Sequence, residues 1–218
     1  MKSHIYTLLT LIIIGSKMFG QQAEHGHGPV FHPPIPIEAM AGDNSAMFQM
    51  ILSRNFGEKQ QFNFFHLSTF EDVYSEYAPD NFLIKNILAY NINRRINIGA
   101  GANFLSQGFR PLVAATFSHF TRNIGLIVQP SFELHKDGVG EVFLMFEWSP
   151  KNEKTIQPYF RLQALSTFNS AHVYSYHFWR AGVQYKNLRV GPAFNVQYAG
   201  PEATTYTNVG GFINFLIQ

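Results

Sequence analysis

Ser131, Glu133 and His135 are the set in this chain that comes nearest to a nucleophile, an acid and a base on one element. If the stretch is a strand, side chains at i, i+2 and i+4 share a face, and such a set would suit hydrolysis of a lipid ester. Ser118-His119 offers a second serine and histidine. Distance counts against the arrangement, because residues two apart on a strand have Cα atoms about 6.5–7 Å apart. The default is plainer: His135 ends a loop and Glu133 partners an arginine. A second cluster, His25, His27 and His32, sits among Pro29, Pro33, Pro34 and Pro36. Imidazoles there could hold Zn or Cu, but nothing completes a ligand set, so the expectation is a polar tail, no metal and no cofactor. No Gly-rich phosphate loop or paired-carboxylate signature appears elsewhere.

The elements that would carry these residues are legible from Ile37 onward, where the sequence keeps a period of two almost to its end. In Ile124 to Leu134, Ile124, Leu126, Val128, Phe132 and Leu134 alternate with Gly125, Gln129, Ser131 and Glu133. Val142, Leu144, Phe146 and Trp148 oppose Glu141, Phe143, Met145 and Glu147; Ile156, Phe160 and Leu162 oppose Gln157, Tyr159, Arg161 and Gln163. Strands are predicted at 37–43, 45–55, 61–73, 82–93, 96–106, 109–121, 123–135, 140–149, 155–168, 172–185, 188–199 and 205–217. The first is short and follows prolines, so ten strands is the alternative to twelve. The phase slips near Phe178 and Trp179, where a bulge is expected. No comparable stretch has a helical period.

Turns give an independent pattern. One class is tight and basic: Arg54 to Lys59, Asn93-Arg94-Arg95, Thr121-Arg122-Asn123, Lys151 to Lys154, and Tyr185-Lys186-Asn187. The intervening class includes Asp43-Asn44, Ala78-Pro79-Asp80, Gln107-Gly108, Lys136-Asp137-Gly138, Asn169-Ser170 and Gly200-Pro201-Glu202. Two alternating classes imply two ends of an up-and-down meander, and an even strand count returns both termini to one side.

Composition bounds the rest. Only 14% of the 218 residues are charged, against about 25% in soluble domains, and there is no cysteine for a disulfide or thiolate metal site. Residues 1–20 read as a signal peptide, with Lys2, an apolar run from Tyr6 to Ile14, and small residues Gly15, Ser16 and Gly20 before a cut at Gln21. The run is too short to span a bilayer, which needs about 20 apolar residues. Cleavage removes Lys2 and Lys17, leaving 14 basic residues against 14 acidic ones. No cationic excess remains for nucleic acid. Residues 21–36 form the His/Pro-rich tail, expected to be flexible and periplasmic, and 37–218 one β domain.

The signal peptide, the two-faced strands of about ten residues, the abundance of Phe and Tyr and the aromatic-rich terminal strand Asn208 to Gln218 together resemble small outer-membrane β-barrel proteins of Gram-negative bacteria, the porin-like and OmpA-like barrels in the loose sense. The resemblance covers 37–218. It implies an all-β, closed antiparallel transmembrane barrel of about twelve strands, monomeric, lodged in outer-membrane lipid after delivery by periplasmic chaperones and the barrel-assembly machinery. Such barrels end in an aromatic residue read by that machinery; here Gln218 is last and Phe215 lies three before it. Tyr90, Trp148, Tyr159, Tyr174, Tyr176, Tyr185 and Tyr198 fall toward strand ends, where aromatic girdles sit.

On this phasing Lys85, Glu133, Glu141, Glu147, Arg161, Arg180 and Arg189 project into the lumen. Buried charges must be paired, so the default is a salt-bridged plug, with a polar conduit for small charged solutes as its rival. The expected function is non-enzymatic: small-solute passage or binding, or a structural envelope role. The enzymatic alternative would place Ser131, Glu133 and His135 in a wall like that of lipid A deacylases or outer-membrane phospholipases, although their order does not match those motifs. A secreted, soluble lipocalin-like carrier is the third reading, with the apolar face turned inward.

Overall fold

A computed structural model describes residues 33–75, 81–106, 108–136, 138–150 and 155–218. Alternation converts directly into strands: β1 (Ile35–Gly42), β2 (Ser45–Phe56), β3 (Phe62–Val73), β4 (Asn81–Asn91), β5 (Ile96–Leu105), β6 (Gly108–Phe120), β7 (Ile124–Glu133), β8 (Gly140–Trp148), β9 (Ile156–Phe168), β10 (His172–Tyr185), β11 (Leu188–Ala199) and β12 (Thr204–Ile217). Each pairs antiparallel with its neighbours in sequence. β1 also pairs with β12, from Ile35↔Ile217 to Gly42↔Gly210, closing the sheet. A closed ladder leaves no backbone edge unpaired, the condition for a sheet to stand in hydrocarbon.

The meander has two ends. The terminal end holds the start of β1, the end of β12 and the β2–β3, β4–β5, β6–β7, β8–β9 and β10–β11 connections; the far end holds the other six. At the terminal end Lys186 takes a positive φ of 52° in the two-residue turn from β10 to β11. The predicted turns at Ala78-Pro79-Asp80 and Lys151 to Lys154, the signal peptide and the His25, His27 and His32 tail lie outside the described residues.

At two points in the wall glycine lets neighbouring backbones close up. A Cβ at Gly101 in β5 would lie 1.8 Å from the Asn86 carbonyl oxygen of β4, and one at Gly210 in β12 would lie 2.0 Å from that of Ala41 in β1. No side chain fits either position, so glycine is required at both. Pro130 leaves another mark. It has no N–H for the ladder, and the β6–β7 partners jump from Ala114↔Ser131 to Phe117↔Val128. The Gln129 amide donates to Thr116 Oγ1 at 3.0 Å across that gap.

The amphipathicity is inverted relative to a water-soluble barrel. From β2 to β12 large apolar side chains stand exposed on the outer wall, Leu88 at 56% and Ile98 at 50%, while Lys85, Gln129, Gln163, Arg180, Asn195 and Asn214 on the inner wall are at 0%. The greasy face therefore points outward, which removes the soluble carrier with its inward apolar face. Inside, Phe65, Leu67, Ile87, Leu112, Phe143, Tyr159, Phe178 and Phe212 join Met40 and Met47 in one packed cluster.

Three local expectations are corrected. β1 begins at Ile35 and includes Pro36, two residues earlier than the pattern suggested. No bulge sits at Phe178 and Trp179; the β9–β10 register shifts instead between His172 and Tyr174. Three girdle tyrosines also turn inward. Tyr159 and Tyr176 are buried, and Tyr174 packs against the lumen cluster with its hydroxyl donating to Gln197. Tyr176 stacks on Phe178 with centroids 4.2 Å apart and its hydroxyl accepts from the Gln163 amide. The reason lies in β10, where Val173, Tyr174, Tyr176, Phe178 and Trp179 put apolar side chains on both faces, so hydropathy does not mark the side that meets lipid; on β9, Tyr159 follows the alternation with Arg161 and Gln163.

Candidate functional site in the barrel lumen

Five carboxylates, Glu38, Glu71, Glu133, Glu141 and Glu147, and five cations, Lys85, Arg110, Arg161, Arg180 and Arg189, project into the lumen among the described residues. The balance is neutral and layered along the axis. Nearest the terminal end, Arg189 on β11 grips Glu147 on β8 with two bonds, Nη2 to Oε1 at 2.6 Å and Nη1 to Oε2 at 3.0 Å. The Tyr159 hydroxyl donates to the same carboxylate at 3.2 Å, and the Arg189 guanidinium lies 4.2 Å from the Tyr159 ring centroid. Gln184 accepts from Arg189 Nε and from the Ser149 hydroxyl, so the guanidinium is held from behind.

The middle layer is a triad. Glu38 on β1 accepts from Arg180 Nε of β10 at 2.8 Å through Oε1 and from Arg161 Nη2 of β9 at 2.5 Å through Oε2. Asn214 of β12 donates to Oε2 at 3.3 Å. Arg180 is also held by Asn195 Oδ1 of β11 at 2.7 Å and by the Trp179 carbonyl oxygen at 2.9 Å. None of the three charged side chains is more than 1% exposed. Two guanidinium groups on one carboxylate leave a local excess of one positive charge, and Phe178 and Phe212 flank Arg180 with ring centroids 5.8 and 5.9 Å from its central carbon.

Toward the far end three nodes share the cross-section. Lys85 of β4 pairs with Glu141 of β8, and Ser131 of β7 donates to the same oxygen at 3.1 Å. Glu133 of β7 accepts from Arg110 Nη1 at 3.0 Å and Asn103 Nδ2 at 3.1 Å. Glu71 of β3 accepts from the Ser45 hydroxyl at 2.6 Å and the Gln197 amide at 2.8 Å.

All seven charges expected in the lumen stand in these layers. Ser131, Glu133 and His135 are not drawn together as a relay: Ser131 is spent on Glu141, Glu133 on Arg110 and Asn103, and His135 lies exposed beyond the end of β7. Among the described residues no group of three His, Asp or Glu has the arrangement of a metal site. The sequence reading missed Glu38, Glu71 and Arg110. A signal for Glu38 was present, since four cations and three acids on the expected inner face leave a charge unbalanced. The alternation of Ile37 and Ala39 with Glu38 and Met40 marks the inner face of β1.

With the geometry in place, solved structures give the comparison. The NanC porin in its rhombohedral crystal form superposes with a TM-score of 0.50 at 10% identity, covering 84% of this chain and 99% of that one. This chain has the fold of an outer-membrane porin barrel. The KdgM porin aligns over 84% of this chain and 99% of its own at 13% identity, with a TM-score of 0.42. The chain matches no family model and no curated protein. At such identities the likeness concerns architecture, and the lumen must be read from its own residues.

Proposed function

We propose that this chain is a non-enzymatic outer-membrane β-barrel with a structural role in the envelope, exported by the signal peptide at residues 1–20 and closed at rest by its lumen lattice. One observation carries the reading: Glu38 on β1 meets Arg180 and Arg161 of the neighbouring strands β10 and β9, three and four strands away round the wall, at no more than 1% exposure. A water column along the axis would hydrate these groups. Their mutual pairing and the surrounding Phe178 and Phe212 take the place of water. A non-enzymatic role is supported by the commitment of Ser131 and Glu133 to structural bonds.

Passage of small charged solutes is the second reading. It is favoured by the polar half of the lumen lining and by the barrel architecture shared with the NanC porin. Planar-bilayer recording separates the two. A sealed barrel gives no discrete conductance steps as wild type and acquires them in Glu38→Gln, whereas a conduit conducts as wild type and changes ion selectivity in the variant. Wild-type steps with the selectivity of Glu38→Gln unchanged would sink both readings.

A further inference from the structure

The two rims of the barrel carry opposite charge. At the terminal end the described turns expose Lys59, Arg94, Arg95, Arg122 and Lys186 against Glu58 alone; at the far end Asp43, Asp72 and Glu202 are exposed against Lys136. The lumen is neutral by its own pairing, so this asymmetry belongs to the rims. The side chains of Lys59, Arg94, Arg95 and Arg122 have no ion-pair partner among the described residues. Just inside the ring of cations, on the outer wall, lies a ring of exposed aromatics. Phe62 stands edge-on to Tyr90 at 6.1 Å, Trp148 ends β8, and Lys186 Nζ lies 5.3 Å from the Tyr185 ring centroid.

Apolar belt, amphipathic aromatics and unpaired cations in that order reproduce the depth profile of a lipid leaflet: acyl chains, interface, phosphates. We propose that the terminal-end rim is a binding surface for anionic glycerophospholipid headgroups, which select the lipid around that end of the barrel and fix its height in the bilayer. Long Arg and Lys stems reach outward to phosphate without leaving the apolar wall. The far rim, with its acidic excess, repels the same headgroups, so the pair of rims sets orientation. This rests on the membrane reading above.

The test uses the mature chain carrying Trp179→Phe, which leaves Trp148 as its one tryptophan, refolded into phosphatidylcholine vesicles with brominated phosphatidylglycerol or brominated phosphatidylcholine as quencher. Quenching of Trp148 should report a preference for the anionic lipid of about three- to tenfold at low salt. The preference should fall toward unity at about 0.5 M salt. It should vanish in Arg94→Gln/Arg95→Gln/Arg122→Gln and survive in Asp43→Asn/Asp72→Asn. Absence of a preference in the parent chain, or a preference unchanged in the triple variant, overturns the proposal. So does capture of isolated cell-wall polymer that depends on the three arginines without any lipid preference. Heat-modifiable gel mobility keeps the two levels apart: a chain that inserts without preferring the anionic lipid refutes the rim alone, and one that never inserts refutes the membrane reading with it.

Discussion

The Glu38 triad and the Glu147–Arg189 pair use the same chemical groups at two depths, and burial makes them different devices. Glu147 keeps 22% of its side-chain surface exposed and meets one guanidinium in a bidentate fork, whereas Glu38 is 1% exposed and is shared by two. Near the mouth, water reaches Glu147, which limits the pair's worth, although Arg189 itself is only 5% exposed. In the middle no water substitutes, so each member is held by the others and the loss of one leaves a charge stranded. The lesson is that the lattice is not a uniform zipper: its centre is sealed from water by its own partners and its edge is not.

The largest effect should come from the centre. Glu38→Ala strands two buried arginines and is expected to cost about 3–5 kcal/mol, read as a lower midpoint for loss of the heat-resistant folded band. A cost below that of the mouth variants would reverse the comparison. Arg161→Ala should cost less, about 2–3 kcal/mol, because Arg180 still neutralises Glu38; the double variant Glu38→Ala/Arg161→Ala should then fall short of additive in urea titrations. At the mouth, Glu147→Gln is expected to cost only about 0.5–1.5 kcal/mol. Its effect should shrink further in high salt while that of Glu38→Ala does not, a contrast that measures screening at the two depths. Smallest of all, Ser131→Ala removes one hydrogen bond to Glu141 and should cost about 0.5 kcal/mol with the barrel otherwise unchanged. A loss of lipid-ester hydrolysis in that variant would restore the enzymatic alternative.

The sequence was most informative where one face is greasy and the other polar. In β7 and β8, Gln129, Glu133, Glu141 and Glu147 alternate with Val128, Phe132, Val142 and Phe146, and each stands on the side that the alternation assigned. Twelve strands and both classes of turn were legible for the same reason. Legibility failed where aromatics occupy both faces. Tyr174 and Tyr176 read as girdle residues because hydropathy cannot tell a lipid-facing ring from one packed in the lumen, and the register shift at His172 is invisible to any fixed period. Glu38 was missed because β1 is only eight residues long and includes a proline, so its alternation was too brief to weigh. Which acid meets which base was not readable at all. That pairing is set by the shear of the closed sheet, a property of the whole circumference and of no single segment.

Glu38 lies in the first strand, yet its partners arrive 123, 142 and 176 residues later, at Arg161, Arg180 and Asn214. The loops that such contacts close are almost as long as the chain allows, so their entropy must be surrendered before they stabilise anything. An open sheet of β2 to β11, complete in every local hairpin, would still hold Arg161 and Arg180 without their counter-charge. The triad thus acts as a lock that engages only when first and last strands meet: it distinguishes a finished cylinder from an almost finished one, and penalises any intermediate that buries its arginines too soon.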